Sequence, residues 1–258
     1  MIQDQPLRDD ISTVRVLKLG GSLLITPDWP QRLQNWLLQH PAPLNFLLVG
    51  GGEIVESVRR LDTQHHFSVS FSHWLCIDLL SATARIAAQL LPEFPLVSTS
   101  EELSQIIRQH HRAESTIDSK TYTRSETNLN SVFVVDVASF YSRTSVQLNA
   151  TASGRPSSVS STHNNASSLS ALDSMAFEKG LVVCSLPENW DTTSDSLAAW
   201  LTRVVGAQEL VLFKSMTPVL VHNAPQDWVE QGIVDATFAD TLPESVSVQI
   251  VNLVLWPD

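Results

Sequence analysis

The chain is poor in the residues that mark several large classes of protein. Its two cysteines, Cys76 and Cys184, lie among apolar neighbours without the spacing of a metal or redox motif, so we expect buried thiols. Two adjacent histidine pairs, at 65–66 and 110–111, point apart on regular elements, which argues against a metal site. No stretch approaches the ~18 consecutive apolar residues of a membrane span, and residues 1–10 lack the apolar core of a signal peptide. These absences predict a cytoplasmic protein that does not enter a membrane.

Positive charge is also scarce. The chain contains 16 Lys and Arg residues and 27 Asp and Glu residues, which gives a formal net charge of -11. Proteins that bind nucleic acids or anionic membranes broadly need a basic face to neutralise phosphates, so both partners are disfavoured. An anionic ligand would have to be held by a few local cations and N–H groups. Otherwise the composition is that of an ordinary globular chain of 258 residues, long enough for a substantial core.

The common phosphate-binding loops are absent too. No G-x-x-x-x-G-K-[ST] motif occurs, and the glycines at 50–52 do not extend to G-x-G-x-x-G. The chain has instead the stretch VRVLKLGGSLL at 14–24, whose short apolar run predicts a buried strand.

The glycines that end this strand predict a phosphate-binding turn. Gly20 and Gly21 can adopt positive φ and leave their N–H groups bare, and Ser22 adds a hydroxyl donor. Lys18 lies two residues before Gly20, so its ammonium group can reach the mouth of the turn. The same residues also fit a strand that turns on Gly-Gly beside a solvated lysine.

A second unit of the same kind follows. An apolar strand at 46–49 leads into Gly50, Gly51 and Gly52 and then into a helix over 53–61. Free N–H groups at a helix N-terminus, together with the helix dipole, favour an anion at this point as well.

The rest of the chain alternates between helices and strands. Further helices are predicted from a cap at Asp28, then over 70–91, 101–110, 196–205 and 225–232, and further strands over 96–97, 132–137, 181–184, 210–213 and 246–255. This alternation predicts an α/β fold in three layers, with a mainly parallel sheet between two layers of helices. Residues 141–172, rich in Ser, Thr, Asn and Ala, are interpreted as an insertion, for which the alternatives are a mobile surface loop, a lid or a disordered segment.

Four polar motifs lie at or near predicted strand ends. They are KLGGS at 18–22, GGG at 50–52, TSDS at 193–196 and FKS at 213–215. Ligands of open α/β sheets gather at the carboxyl ends of the strands, so the four motifs can converge on one cleft.

These motifs resemble those of the amino acid kinase superfamily, which includes acetylglutamate, aspartate, uridylate and isopentenyl-phosphate kinases. The marks are the early KxGGS, the GGG after the second strand and an aspartate that opens a late helix. The chain is most similar to a small aspartokinase-like branch that contains the aminomethylfuran-phosphate kinase of methanofuran biosynthesis. The stretches SHWLCIDLL at 72–80, ENWDTTSDSLAAWL at 188–201, LVLFKS at 210–215 and GIVDATF at 232–238 carry this closer resemblance.

The resemblance implies one amino acid kinase-like domain over 1–258 and a role for each motif. The acceptor-side half would span about 1–140 and the nucleotide-side half about 173–258. The catalytic residues would be Lys18, Asp195 and Lys214; the ATP phosphates would contact Lys18, Gly20, Gly21, Ser22, Lys214 and Ser215; the acceptor would contact Gly50, Gly51, Gly52 and Ser194. Asp195 would orient both lysines, although it also fits a simple helix cap, which Thr193 or Ser194 could supply. The cofactors would be ATP and Mg²⁺, with the metal held largely by the nucleotide.

Two features depart from the family pattern. Met216, Thr217 and Pro218 follow Ser215 where relatives usually have an Asp-Gly turn, and the insertion at 141–172 has no counterpart.

The helix at 70–91 is apolar around most of its surface, Trp74 included, and related kinases commonly pair through helices of the first half. The resemblance therefore also implies a homodimer with this helix at or near the interface; the alternative is a helix buried wholly within one subunit.

The expected function is transfer of a phosphoryl group from ATP to a small acceptor. A phosphate monoester such as an aminomethylfuran phosphate, used in methanofuran-type C1 cofactor biosynthesis, fits best, because its phosphate is already ionised at pH 7 and needs no general base. The alternatives are a carboxylate or isopentenyl phosphate acceptor, or a non-catalytic relative that binds a nucleotide or an oxyanion.

Overall fold

A computed structural model describes residues 13–116, 131–141, 186–216 and 224–256. The helices are α1 (Trp29–Gln39), α2 (Gly52–His65), α3 (Val69–Leu90), α4 (Ser100–Thr116), α5 (Ser194–Val205), α6 (Pro225–Glu230) and α7 (Phe238–Thr241). The strands are β1 (Val14–Leu19), β2 (Leu44–Val49), β3 (Leu96–Val97), β4 (Ser131–Val135), β5 (Glu209–Lys214) and β6 (Ser247–Asn252). The predicted strand at 181–184, and the insertion beyond residue 141, lie outside the described residues.

The described strands form one sheet in the order β3-β4-β2-β1-β5-β6, and every neighbouring pair is parallel. Strand β1 therefore lies between β2 and β5 near the middle of the sheet. The predicted α/β fold with a parallel sheet is confirmed. Parallel strands end at a common edge, so the loops that follow β1, β2 and β5 are neighbours.

The two faces of the sheet carry separate apolar cores. Successive side chains of a strand point to opposite faces. Val14 and Val16 of β1 pack in a cluster with α5 and the first half of α3, whereas Leu17 and Leu19 pack with α1 and the last turns of α3. The layers of helices on both faces complete a three-layer sandwich. Lys18 has the same parity as Val14 and Val16, so its side chain projects toward α5.

Several predicted boundaries are wrong for local reasons. The strand predicted to reach residue 137 ends at Val135, because its neighbour β3 has only two residues to pair with it. The strand predicted to reach residue 255 ends at Asn252, whose side chain accepts hydrogen bonds from the N–H groups of Val254 and Leu255 and starts a 3₁₀ turn. Asp28 precedes α1 but makes no side-chain capping bond.

Helix α3 has a clearer polarity than its sequence indicates. Trp74 and Ile77 face the interior, and the Trp74 ring stacks on Tyr141 at a centroid distance of 5.7 Å. Ile86 and Leu90 lie on the outer face and are exposed. Trp74 is thus a core residue, contrary to its predicted place on an outward apolar surface. No helix in the described ranges combines the length and the apolar character that crossing a membrane requires.

Candidate active site

Two lysines and one aspartate meet at the carboxyl edge of the sheet. Lys18 Nζ lies 2.8 Å from Oδ1 of Asp195, and Lys214 Nζ lies 2.7 Å from Oδ2 of the same carboxylate. The side chains of Lys18 and Asp195 are buried, and that of Lys214 is only 15% exposed. The structure thus brings together the three residues predicted to be catalytic, from β1, β5 and α5.

The sheet register explains this meeting. Lys18 lies opposite Leu212 of β5, and Lys214 follows two residues later on the same face of the sheet. Asp195 lies in the first turn of α5, which packs over that face. The helix begins at Ser194 after the cap residue Thr193, whose hydroxyl accepts from the N–H of Asp195 at 3.5 Å. The cap is therefore Thr193, and the Asp195 carboxylate is left to bind the lysines.

Burial and charge act in opposite directions on the Asp195 carboxyl group. Burial raises its pKa, but the charges of Lys18 and Lys214 and their hydrogen bonds outweigh burial and hold the pKa below its usual value. Asp195 is therefore ionised at neutral pH.

The Lys214 ammonium group is destabilised in the same cluster. Burial and the nearby charge of Lys18 lower its pKa by more than Asp195 and Asp235 raise it. Among the groups in direct contact, two positive charges meet one carboxylate when both lysines are protonated. An excess cation at a sheet edge is suited to an anionic ligand.

Two of the glycine N–H groups predicted to bind phosphate are bonded within the sheet. The N–H of Gly20 donates to the carbonyl of Phe213 at 2.8 Å, and the N–H of Gly50 donates to the carbonyl of Leu19 at 2.9 Å. These two amides extend the sheet ladders, so they are not free for phosphate. Gly20 also has a negative φ of -57°, not the positive φ expected there.

The glycines are needed instead for a close contact between the two turns. A Cβ atom on Gly21 would lie 2.0 Å from the backbone nitrogen of Gly52. Gly52 has a φ of +53°, and a Cβ atom there would lie 2.3 Å from the carbonyl oxygen of Gly21. This contact holds the start of α2 beside the end of β1. The first N–H groups of α2 have no acceptor within the helix, so an anion site remains at this N-terminus.

A cavity of about 410 Å³ opens beside the glycine turns. It is lined by Gly21, Ser22, Gly51, Gly52, Glu53, Val55, Glu56, Arg59, His73, Cys76, Ile77, Leu80, Asn189, Trp190, Thr192, Thr193, Ser194 and Leu197. Most of this lining comes from one face of α2, one face of α3 and the segment before α5. Three residues predicted to contact the acceptor, Gly51, Gly52 and Ser194, thus lie on its wall. The fourth, Gly50, does not line it, although a Cβ atom there would contact the Ser194 hydroxyl at 2.8 Å.

Trp190 forms a fixed wall of this cavity. Its Nε1–H donates to Oδ2 of Asp62 at 2.8 Å, and the Arg59 guanidinium lies over its ring, 4.6 Å from the centroid. Arg59 also pairs with Glu56 at 3.3 Å on the exposed rim. Sequence reasoning gave none of these residues a role, because a tryptophan between two motifs has no spacing signal of its own.

The predicted nucleotide side is open at its mouth. The hydroxyl groups of Ser22 and Ser215 lie 3.1 Å apart and are exposed. Ser215 directly follows Lys214, so the pair borders the lysine cluster. Of the unusual sequence after Ser215, Met216 is 68% exposed, and Thr217 and Pro218 lie outside the described residues.

The described residues contain no group of three or more His, Cys, Asp or Glu side chains placed to hold a metal ion. Both carboxylate oxygens of Asp195 face lysines. The donor set therefore suits the phosphate oxygens of a nucleotide, which would themselves supply ligands to Mg²⁺.

Comparison with protein-family models gives no match, and comparison with curated proteins gives none either. Among solved structures, the chain is similar to the uridylate kinase from Archaeoglobus fulgidus, with 14% identity, 93% of this chain and 90% of that chain covered, and a TM-score of 0.46. It is also similar to the UMP kinase from Ureaplasma parvum, with 12% identity, the same coverage of 93% and 90%, and a TM-score of 0.46. At these values the two likenesses carry no argument about activity, ligands or assembly.

Proposed function

We propose that this protein is an ATP-dependent kinase of the amino acid kinase superfamily, acting on a small phosphate monoester. One observation carries the proposal: Lys18 and Lys214 share the single carboxylate of Asp195 at the carboxyl edge of a parallel sheet. Phosphoryl transfer needs positioning and positive potential more than covalent chemistry. A buried cluster with an excess positive charge supplies that potential.

The two lysines act on the charge of the transferring group. The bond from the γ-phosphorus to the oxygen that bridges the β-phosphate breaks, and ADP leaves with that oxygen. A new bond forms from the γ-phosphorus to an oxygen of the acceptor phosphate. Lys18 and Lys214 stabilise negative charge on the phosphoryl and bridging oxygens, while Asp195 fixes both ammonium groups. Mg²⁺ would be held mainly by the nucleotide phosphates and would neutralise part of their charge.

The cavity beside the glycine turns supports the proposal of a small acceptor. The N-terminus of α2 is suited to the acceptor phosphate. Ile77 and Leu80 offer an apolar wall for a ring, and Glu53 and Glu56 offer carboxylates for an ammonium group. An aminomethylfuran phosphate carries these three features, so we propose it as the first acceptor to test.

A second acceptor class is favoured by one observation. Val55, Ile77, Leu80 and Leu197 give part of the cavity an apolar lining, which suits isopentenyl phosphate. That acceptor has no cationic group for Glu53 or Glu56. A carboxylate acceptor could be complemented by Arg59 and His73 of the cavity lining. A non-catalytic relative would bind the nucleotide without turnover, although the retention of Lys18, Asp195 and Lys214 favours an enzyme.

The test is release of ADP from Mg·ATP with a panel of acceptors. The panel contains aminomethylfuran phosphate, its hydroxymethyl analogue, isopentenyl phosphate and acetylglutamate, and binding of ATP is measured by calorimetry in parallel. We expect the highest kcat/KM with aminomethylfuran phosphate and loss of turnover in Asp195→Asn. Nucleotide binding without ADP release for any acceptor would favour the non-catalytic alternative, and neither binding nor turnover would overturn the proposal.

The proposal includes a homodimer that pairs through the outer face of α3. Phe71, Ile86 and Leu90 on that helix are 49%, 41% and 46% exposed. A second copy of the same helix would cover them in a self-complementary contact. Sedimentation at micromolar concentration should give twice the chain mass of 28.5 kDa, and Ile86→Glu should shift the protein toward monomer. A monomeric wild type would refute the dimer without affecting the proposed activity.

A further inference from the structure

The Asp235 carboxylate lies against the N-terminus of α5 and has no role in the site described so far. It accepts hydrogen bonds from the N–H and the hydroxyl of Thr193, at 3.0 and 2.6 Å. It also accepts from the N–H of Ser196 at 3.0 Å and from the Ser196 hydroxyl. Thr193 and Ser196 lie on either side of Asp195 in the chain. The Asp235 carboxylate therefore holds the helix turn both before and after the residue that binds the lysines.

Asp235 shares the task of the cap residue Thr193. In most helices the N-cap side chain accepts from the N–H two or three residues later. Here the Thr193 hydroxyl donates to Asp235, and Asp235 accepts from the N–H of Ser196, three residues after the cap. A charged acceptor makes stronger bonds than a neutral hydroxyl, and the helix dipole favours negative charge at this end. The first turn of α5 is therefore fixed from a segment 39 residues further along the chain.

The segment that carries Asp235 is itself fixed. The N–H and hydroxyl of Thr237 donate to the carbonyl of Asp191, at 3.3 and 3.0 Å, and the Thr237 hydroxyl lies 3.2 Å from that of Thr192. The next residue, Phe238, is fully buried against the core. Residues 235–238 and 191–196 thus form one hydrogen-bonded unit.

We infer that Asp235 is a positioning residue, which holds the first turn of α5 so that Asp195 engages Lys18 and Lys214 together. This role rests on the proposed kinase function, because it matters only if the lysine cluster acts on a phosphoryl group. Asp235 contacts Thr193 and Ser196 and acts through them. A small shift of this turn would misplace the Asp195 oxygens, and misplacement near 1 Å can cost on the order of 100-fold in rate.

Asp235 also acts on the cluster through its charge. The charged groups that face Lys214 are Lys18, Asp195 and Asp235. Burial and Lys18 lower the pKa of Lys214, whereas Asp195 and Asp235 raise it. Removing the charge of Asp235 would lower this pKa further. Lys214 would then lose its proton at a lower pH, and the alkaline limb of the kcat profile would move in the same direction.

Three variants separate geometry from charge. Asp235→Asn removes the charge and replaces Oδ1, which accepts from the Ser196 hydroxyl, with an NH2 group that cannot accept. We therefore expect kcat to fall roughly 10- to 100-fold and the alkaline limb to move to lower pH. Asp235→Glu keeps the charge but displaces it, so we expect a reduced kcat with the limb near its wild-type position. Asp240→Asn removes an exposed charge five residues away and should change neither.

A second readout does not depend on turnover. Labelling with an amine-reactive reagent, followed at Lys214 by mass spectrometry as a function of pH, measures the fraction of free amine. We expect the labelling midpoint to fall in Asp235→Asn and to stay unchanged in Asp240→Asn. The inference is overturned if Asp235→Asn has the kcat and the Lys214 labelling midpoint of the wild type. If Asp235→Asn does not fold, a wild-type kcat in Asp235→Glu overturns the inference instead. If the wild type has no turnover but the midpoint still falls, the proposed function fails while the contact of Asp235 with the cluster stands.

Discussion

Strand β1 carries a buried cation near each of its ends, and the two cations are paired differently. Arg15, at the amino end, pairs with one carboxylate, Glu209, at 2.5 Å. Its guanidinium also donates to the carbonyl of His40 at 2.8 Å and lies 5.2 Å from the ring centroid of Trp36. Lys18, at the carboxyl end, shares Asp195 with a second lysine. At the amino end one cation contacts one carboxylate, whereas at the carboxyl end two cations contact one carboxylate.

The difference separates a structural ion pair from a candidate ligand site. Every polar contact of Arg15 named above is made within the protein, so nothing further is needed to compensate its charge. In the lysine cluster two ammonium groups contact one carboxylate, and burial lowers the pKa of Lys214. Such an arrangement costs free energy in the empty protein and recovers it when an anion binds. The number of cations per contacting carboxylate, more than burial, therefore distinguishes the two ends of β1.

The largest predicted effect is the loss of rate in Lys18→Ala. The substitution leaves Lys214 in contact with Asp195 as a one-to-one pair, like Arg15 with Glu209, and removes the cation that we propose acts on the transferring phosphoryl group. We expect kcat to fall by ~10²–10³, the range seen when comparable electrostatic donors are removed. The melting temperature should change little, because a repulsion between ammonium groups is lost along with an attraction.

Stopped assays with saturating ATP and acceptor measure this effect, and Lys18→Arg is the matched control. Arginine keeps the charge but is planar and longer, so it should restore only part of the rate. Normal kcat in Lys18→Ala would remove Lys18 from the proposed chemistry.

The converse variant is Arg15→Met, which should lower stability without changing the chemistry. It leaves the Glu209 carboxylate, only 16% exposed, without its cation and removes the contact over Trp36. Breaking a buried pair on one side typically costs roughly 3–5 kcal/mol, and partial exposure of Glu209 places the expected loss near the lower value. The kcat per folded molecule should remain that of the wild type.

Urea unfolding measures this loss of stability. The double variant Arg15→Met/Glu209→Met should be more stable than Arg15→Met alone, because no uncompensated charge remains. The exposed pair of Arg59 with Glu56 supplies the contrast, since exposed pairs contribute only about 0–1 kcal/mol. A loss below 1 kcal/mol in Arg15→Met would show that the balanced pair adds little to stability.

The unbalanced region was the more predictable of the two. Lys18, Asp195 and Lys214 each lie in a motif at a predicted strand end or helix start, and a parallel sheet places such ends on one edge. The pairing of Arg15 with Glu209 depends on the register of two strands that are 194 residues apart in the chain. A hydrophobic pattern predicts that both strands exist but does not fix which residues face each other.

The finer parts of the site depended on contacts that no motif encodes. Gly20 and Gly50 look like free phosphate donors in the sequence, yet their N–H groups continue the ladders of β1 with its neighbours. Asp235 lies in the GIVDATF stretch, where sequence reasoning assigned it no role, and its four bonds to the start of α5 arise only when the two segments pack. Trp190 is likewise fixed by Asp62, 128 residues earlier in the chain.

The smallest predicted effect tests whether neutral groups at the lysine cluster add to its anion affinity. Ser22 lies at the mouth of the predicted nucleotide site, and its hydroxyl contacts that of Ser215 at 3.1 Å. Ser22→Ala removes one neutral donor while leaving both ammonium groups in place. A neutral hydrogen bond contributes about 0.5–1.5 kcal/mol, so we expect the KM for ATP to rise roughly 2- to 10-fold with kcat and melting temperature near wild type. The matched control is Ser57→Ala, which should leave KM unchanged, because the Ser57 hydroxyl donates to the Glu53 carbonyl and accepts from the Arg60 side chain, both within α2. If Ser22→Ala lowered kcat as much as Lys18→Ala, the charge of the two lysines would not be the property that distinguishes the lysine cluster from the Arg15–Glu209 pair.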